Sequence, residues 1–175
     1  MRRRMMMLMT AGAIALGFAG LAGFAGNNAF SADDEDASQE ALIKLLDTAK
    51  INLQQGLAAS EQQGRPISAK FEVDDGKLQL SVYTAKEGRL INHVTGKVLR
   101  AEPITEGHDL TVATEQNAAV ANAKTSLQAA VDKTIAESAN TRAVSVVPSM
   151  KDGHPIASID VLTYNQVKAI QQPLD

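Results

Sequence analysis

The apolar residues after Ala41 first follow a helical spacing and then a strand spacing. Steps of four, three, four and four residues place one set on a single helix face: Leu42, Leu46, Ala49, Leu53 and Leu57. Beyond Pro66 the apolar residues alternate with polar ones, as in a half-buried strand: Ile67, Ala69, Phe71 and Val73. The pattern predicts one helix that runs to about Gly64, followed by a strand.

A turn and two further strands are predicted next. The segment Asp74-Asp75-Gly76-Lys77 suits a tight hairpin, because glycine adopts a positive φ without strain. Alternation resumes over residues 78–82 as a second strand, and residues 90–99 predict a third strand that bends at Thr95-Gly96. One helix followed by an antiparallel meander predicts an α+β unit over residues 41–104.

The same order of patterns returns after a connector at residues 103–108. A second helical stripe carries apolar residues at Val120, Ala123, Leu127, Ala130 or Val131, and Ile135. A strand begins near Val144, the segment Lys151-Asp152-Gly153-His154 predicts a turn, and alternation continues over residues 157–161. With a closing strand near residues 167–170, these patterns predict a second unit over residues 105–175.

Identical residues support an internal duplication. Ala49-Lys50 and Leu53-Gln54 recur 74 positions later, as Ala123-Lys124 and Leu127-Gln128. A second set recurs 77 positions later: Arg65, Asp75-Gly76 and Ser81 match Arg142, Asp152-Gly153 and Ser158. A unit of about 65 residues buries only roughly 60% of its unfolded surface and is marginal alone. We therefore expect an α+β protein of two repeats, each one helix on a small antiparallel sheet, packed through helices or through one extended sheet.

The first 31 residues have the pattern of a signal peptide. Arg2, Arg3 and Arg4 precede an apolar stretch over residues 5–25, and Ala29-Phe30-Ser31 supplies small residues for cleavage before Ala32. The alternative is an uncleaved membrane anchor, which the glycines in the apolar stretch disfavour. We expect cleavage near Ser31 and a periplasmic or secreted protein. The acidic segment at residues 32–40 is interpreted as a solvated linker.

Composition excludes several classes of function. Loss of residues 1–31 removes three of the 17 basic residues and none of the 20 acidic ones, which leaves a net charge of −6. An acidic chain without a basic stripe is a poor ligand for nucleic acids and for anionic membranes. The absence of cysteine excludes disulfides, thiolate metal sites and cysteine nucleophiles.

No catalytic, cofactor-binding or metal-binding residue is predicted. The three histidines, His93, His108 and His154, lack the spacing that places two ligands on one helix face. Ser158, Asp160 and His154 invite comparison with a catalytic triad, but no sharp serine turn or oxyanion-hole sequence accompanies them. Ser158 and Asp160 are expected to point away from the core and toward solvent, and the carboxylates of the 74–77 turn are explained by turn chemistry.

The helix over residues 49–63 and the hairpin over residues 67–82 resemble the PepSY family. Residues 93–98, His-Val-Thr-Gly-Lys-Val, resemble its closing strand, although Asn92 and His93 stand where an aspartate usually leads into Thr-Gly. In the second repeat, residues 151–155 and 157–161 fit the hairpin, but no Thr-Gly follows. The resemblance implies a role in inhibiting or restraining an extracytoplasmic peptidase.

The sequence therefore predicts a non-enzymatic, exported binding module that needs no cofactor. Its partner is expected to be a protein or peptide, with an exported peptidase as the candidate that the resemblance implies. The sheet or its edges are the expected binding surface, and an exposed edge can accept an extended peptide. The alternative function is an envelope sensor or accessory domain for a small ligand or a metal.

Overall fold

The computed structural model describes residues 32–62, 64–85, 87–91, 94–137 and 139–175. The expected signal peptide, residues 1–31, lies outside the described residues. The helices are α1 (Ala32–Leu46), α2 (Leu53–Glu61), α3 (Gly107–Asn122) and α4 (Leu127–Ala136). The strands are β1 (Pro66–Asp74), β2 (Lys77–Thr84), β3 (Glu87–Ile91), β4 (Val98–Pro103), β5 (Thr141–Lys151), β6 (His154–Thr163) and β7 (Gln166–Pro173).

The seven strands form one antiparallel sheet in the order β4-β3-β2-β1-β5-β6-β7. The first four strands and the last three meet where β1 pairs with β5, with Ala69 opposite Val146 and Lys70 opposite Ser145. Residues 40–175 form one compact unit around this sheet. The α+β class is confirmed, and one extended sheet is the arrangement found.

The prediction of one helix ahead of each set of strands is wrong, because two helices precede each set. Asn52 caps α2: its side-chain oxygen accepts the Gln55 N–H at 2.8 Å, and the Gln55 side chain accepts the Asn52 N–H at 2.9 Å. Ser126 caps α4 by accepting the Ala129 N–H at 3.1 Å. The apolar spacing continues through both breaks, so periodicity alone merged each pair of helices.

Two other local predictions need correction. Residues 32–40, interpreted as a linker, lie within α1. The third strand predicted over residues 90–99 is two strands, β3 and β4, on either side of the Thr95-Gly96 turn. The residues between them include His93, which lies outside the described residues.

The predicted hairpin turns are confirmed by their backbone angles. Asp75 and Gly76 have φ of 47° and 70°, and Asp152 and Gly153 have φ of 52° and 83°. Positive φ at both central residues is the geometry that matches the twist of a two-residue hairpin. Tyr164 makes a third such turn with the asparagine that follows it, at φ of 47° and 64°.

Helices cover both faces of the sheet. On one face α2 lies so close to β2 that a Cβ at Gly56 would stand 2.6 Å from the Leu80 side chain. On β1, Ser68 points to the opposite face from Ala69, and its hydroxyl donates to the Gln116 side chain of α3 at 2.9 Å. Thus α3 covers the opposite face from α2.

The apolar positions predicted from strand alternation form the core beneath α2 and α4. The Gln54 side chain of α2 donates to Asp132 of α4 at 3.1 Å and joins the two helices. Among the side chains that the structure describes, the buried aliphatic and aromatic residues on the strands are Ile67, Ala69, Phe71, Leu78, Leu80, Val82, Ile91, Ala143, Val144, Val146, Ala157, Ile159 and Val161.

Two arginines connect the two halves of the chain. Each donates hydrogen bonds to a carbonyl near the end of a helix in the other half. The guanidinium of Arg142 donates to the Leu46 carbonyl at 2.7 Å and to the Ile51 carbonyl at 3.4 Å, and lies 5.7 Å from the centre of the Phe71 ring. The guanidinium of Arg65 donates to the carbonyl of Val120 in α3. Each arginine therefore satisfies a carbonyl at a helix end from the other half of the chain.

Substitution of Arg142 by methionine is expected to lower the free energy of unfolding by about 1–3 kcal/mol. The variant loses charged hydrogen bonds to two carbonyls and the contact with an aromatic ring. Urea unfolding followed by circular dichroism measures the change. The matched control is Arg100→Met, which removes only an exposed ion pair with Glu102 at 3.4 Å and should cost no more than about 0.5 kcal/mol. Equal losses in the two variants would contradict the assignment.

Candidate functional site

Ser158, Asp160 and His154 do not form a catalytic triad. All three lie on β6. Ser158 and Asp160 lie on the face opposite Ala157 and Ile159, as expected, but both are half-buried rather than turned fully to solvent. His154 and Ser158 are four positions apart along the strand, a distance of about 13 Å. His154 Nδ1 instead lies 2.6 Å from Asp175 Oδ2 at the surface. The hydrogen bond with His154 lowers the pKa of Asp175.

The remaining titratable candidates are also dispersed. His108 is exposed in the first turn of α3. Asp74 accepts a hydrogen bond from Gln79 at 2.6 Å, and Asp75 occupies a positive-φ position in the same exposed turn. Within the described ranges, no group of three or more His, Cys, Asp or Glu side chains could hold a metal ion.

A small cavity lies between α2, α4 and the start of β1. Its volume is about 50 Å³, and its lining consists of Leu57, Glu61, Arg65, Pro66, Val120, Ser126, Leu127 and Gln128. This volume suits a water molecule or two and is far below the roughly 300 Å³ of a small-molecule site. The cavity therefore gives no support to the small-ligand alternative.

The polar face of β1 and β2 carries a cluster whose charges are already paired. Lys70 Nζ lies 2.6 Å from Glu72 Oε2, and the Ser81 hydroxyl donates to Glu72 Oε1 at 2.5 Å. Burial lowers the pKa of Lys70, but the neighbouring Glu72 outweighs it and the pKa is raised overall. Burial also raises the pKa of Tyr83. We interpret this cluster as structural.

The two edges of the sheet differ in regularity. The edge strand β4 has six residues, an irregular register against β3 at Leu90/Ile91, and an exposed Arg100–Glu102 ion pair. The edge strand β7 pairs with β6 over eight consecutive residues without a shift in register. Irregularity and charge protect an edge from pairing with other chains, so β7 is the more open edge.

The register of β7 identifies the backbone groups that no other described strand binds. The two-residue turn makes Thr163 and Gln166 the first hydrogen-bonded pair, after which bonded and non-bonded pairs alternate. The Leu174 N–H donates to the Pro155 carbonyl at 2.9 Å, in agreement with this alternation. The outward-facing residues are therefore Val167, Ala169 and Gln171, and Pro173 follows them without an N–H.

One carboxylate lies beside this open edge. Ser145, Asp160 and Ala169 are in register on β5, β6 and β7, so their side chains share one row on the face that carries Ser68. The Ser145 hydroxyl donates to Asp160 Oδ2 at 2.6 Å. Burial raises the pKa of Asp160, and this hydrogen bond only partly opposes the shift. Sequence periodicity placed Asp160 on the correct face, but its distance from the edge follows only from the register.

The chain shares a distant similarity with one solved structure. It is 13% identical to a putative lipoprotein from Clostridium difficile 630, with a TM-score of 0.33, over 65% of this chain and 86% of that one. No family model matches the sequence, and no curated protein does. The resemblance to PepSY domains is thus not confirmed by these comparisons. No helix in the described part of the chain is long and apolar enough to cross a membrane.

The half-buried Asp160 generates a prediction about the pH dependence of stability. Its raised pKa means that the folded protein binds this proton more tightly than the unfolded protein does, so its ionisation costs stability as the pH rises above about 3.8. We expect the free energy of unfolding of Asp160→Asn, relative to that of the wild type, to increase as the pH rises above about 3.8 and then to level off. Urea unfolding between pH 3 and 7 measures the difference.

The control for this measurement is Asp152→Asn, a substitution in an exposed turn at a position where asparagine also accepts the positive φ of 52°. It should produce no comparable gain. A relative stability of Asp160→Asn that falls as the pH rises would contradict the assignment.

Proposed function

We propose that this chain is an exported, non-catalytic binding module that pairs with an extended segment of another exported protein along β7. The observation that carries the proposal is the row of outward backbone groups at Val167, Ala169 and Gln171. An unpaired N–H and C=O at alternate residues is the arrangement to which an added strand binds. The regular pairing of β7 with β6 holds these groups in line.

The side chains of β7 leave the edge accessible. Lys168 is the one charged residue of this strand, and it occupies a position whose backbone is bonded to β6. Its side chain lies on the face opposite Ala169, because successive side chains of a strand alternate. Pro173 limits the usable edge at its end, so the binding segment spans about seven residues of β7.

We also propose that the module consists of two related repeats of the PepSY type. The N-caps Asn52 and Ser126 are 74 positions apart. The two arginines bind the carbonyls of Leu46 and Val120, which are also 74 positions apart. Arg65 and Arg142 are 77 positions apart.

The pairing of β1 with β5 gives further support. Ala69 and Val146 are also 77 positions apart, and they lie opposite each other. Two copies related by a two-fold axis between these strands would show all of these correspondences. Joining two repeats in this way occupies one edge of each and leaves the other edges open.

An exported peptidase is the partner class that we propose. The PepSY resemblance implies this partner class. Strand pairing also offers a physical mechanism, because a segment bound along β7 can be withheld from a peptidase or presented to the peptidase. The net charge of −6 after removal of residues 1–31 does not favour nucleic acid or anionic lipid as the partner.

The substitution Ala169→Pro tests the binding edge. It removes an outward N–H without removing a bond to β6, so we expect at least about tenfold weaker binding of an extended peptide and little change in stability. Fluorescence polarisation with a labelled nine-residue threonine–valine peptide, N-methylated along one edge, measures the affinity. Ala169→Ser is the matched control because it retains the N–H. Equal affinity of the proline and serine variants would contradict pairing at β7.

The peptidase assignment has a separate test. Wild-type protein immobilised as bait should retain a peptidase from the envelope fraction and slow its cleavage of a peptide substrate, whereas Ala169→Pro should do neither. A wild-type protein that neither binds nor slows any co-exported peptidase would refute this partner class.

Export and cleavage are tested directly by mass. The purified exported protein is expected to begin at Ala32, since cleavage after Ser31 follows the small residues that precede it. Intact-mass spectrometry of the protein from the envelope or the medium gives the result. A mass that still includes residues 1–31 would show the uncleaved anchor instead.

A further inference from the structure

We infer that the segment paired with β7 carries an arginine or a lysine opposite Ala169, and that Asp160 binds this side chain. The inference rests on the proposed function, because it names the chemistry of the segment that the open edge accepts. It assigns to Asp160 a role in selecting the bound segment, whereas the triad interpretation concerned catalysis.

The register of the strands sets the distance between Asp160 and the residue of an added strand that lies opposite Ala169. Asp160 faces Ala169 on the next strand, and an added strand would place its own residue on the far side of Ala169. Two strand spacings separate that residue from Asp160, about 10 Å between Cα atoms. The stem of a lysine or arginine, with three or four methylene groups, can cross this distance over the small alanine side chain.

The carboxylate of Asp160 has capacity for such a partner. One oxygen accepts the Ser145 hydroxyl, and no hydrogen bond or ion pair among the described residues engages the other. The group is half-buried, so a charge-assisted hydrogen bond there is stronger than at a fully exposed site. By contrast, Glu72 already binds Lys70 and Ser81.

The residues around this row suit the stem of a basic side chain. Leu162 and Val167 lie opposite each other in the adjacent row on the same face, and both are half-buried. Their apolar surface can pack against methylene groups while the charged end reaches Asp160. The acidic net charge of residues 32–175 also favours a basic segment.

A second copy of the chain fits this edge less well. Antiparallel pairing of two β7 strands centred on Ala169 would place an alanine opposite an alanine and would bring no positive charge to Asp160 in that row. Lys168 cannot serve, because its side chain lies on the other face. We therefore argue for a basic extended peptide, with self-association as an outcome that would contradict it.

Three labelled peptides test the inference with purified exported protein. Each is a nine-residue threonine–valine strand, N-methylated along one edge, whose central residue is arginine, norleucine or glutamate. We expect the arginine peptide to bind about tenfold more tightly than the norleucine peptide and the glutamate peptide to bind most weakly. The preference for arginine should disappear in Asp160→Asn, which keeps the shape of the side chain, and persist in the control Asp152→Asn.

The outcomes separate this inference from the proposed function. If all three peptides bind equally and Ala169→Pro still abolishes binding, the edge site stands and the role of Asp160 is refuted. If Ala169→Pro binds as the wild type does, the proposed edge itself is refuted. An arginine preference that survives in Asp160→Asn, or a dimer by light scattering that the arginine peptide does not dissociate, overturns the inference.

Discussion

The pairing of β1 with β5 is the contact on which the rest of this structure depends. It joins two sets of strands into one sheet through Ala69 opposite Val146 and Lys70 opposite Ser145. This ladder is the shortest in the sheet, so side chains must reinforce it. Arg142 and Arg65 do so by binding carbonyls at helix ends in the other half of the chain. The two halves are therefore mutually dependent.

This joint also decides which strands form the two edges of the sheet. Because β1 and β5 occupy the middle of the sheet, the free edges are β4 and β7. Irregular pairing and an ion pair protect β4, whereas β7 continues the regular register of β6. The proposal of an extended segment bound along β7 rests on this difference between the two edges.

Polar groups on the sheet face opposite α2 differ in how fully they are satisfied. Glu72 binds both Lys70 and Ser81, and Ser68 binds Gln116 of α3, so this region is stabilised internally. Among the described residues, the one hydrogen-bond partner of Asp160 is the Ser145 hydroxyl. A half-buried carboxylate with a single hydrogen-bond partner costs stability when ionised, and the basic side chain that we infer would offset this cost.

Local chemistry explains what could be predicted from the sequence. Alternation identified the buried faces of β1, β2 and β6, and Asp-Gly pairs identified two hairpin turns, because both signals depend on neighbouring residues only. The break between α1 and α2 was missed, although Asn52, followed three residues later by glutamine, was a capping signal in the sequence.

The tertiary structure alone decided the side of the sheet on which α3 packs, the edge that stays open, and the neighbours of Asp160. The bond between Ser68 and Gln116 joins residues 48 positions apart, and the row from Ser145 to Ala169 depends on two strand registers. Such contacts have no local signal, since they arise only when distant segments pack together.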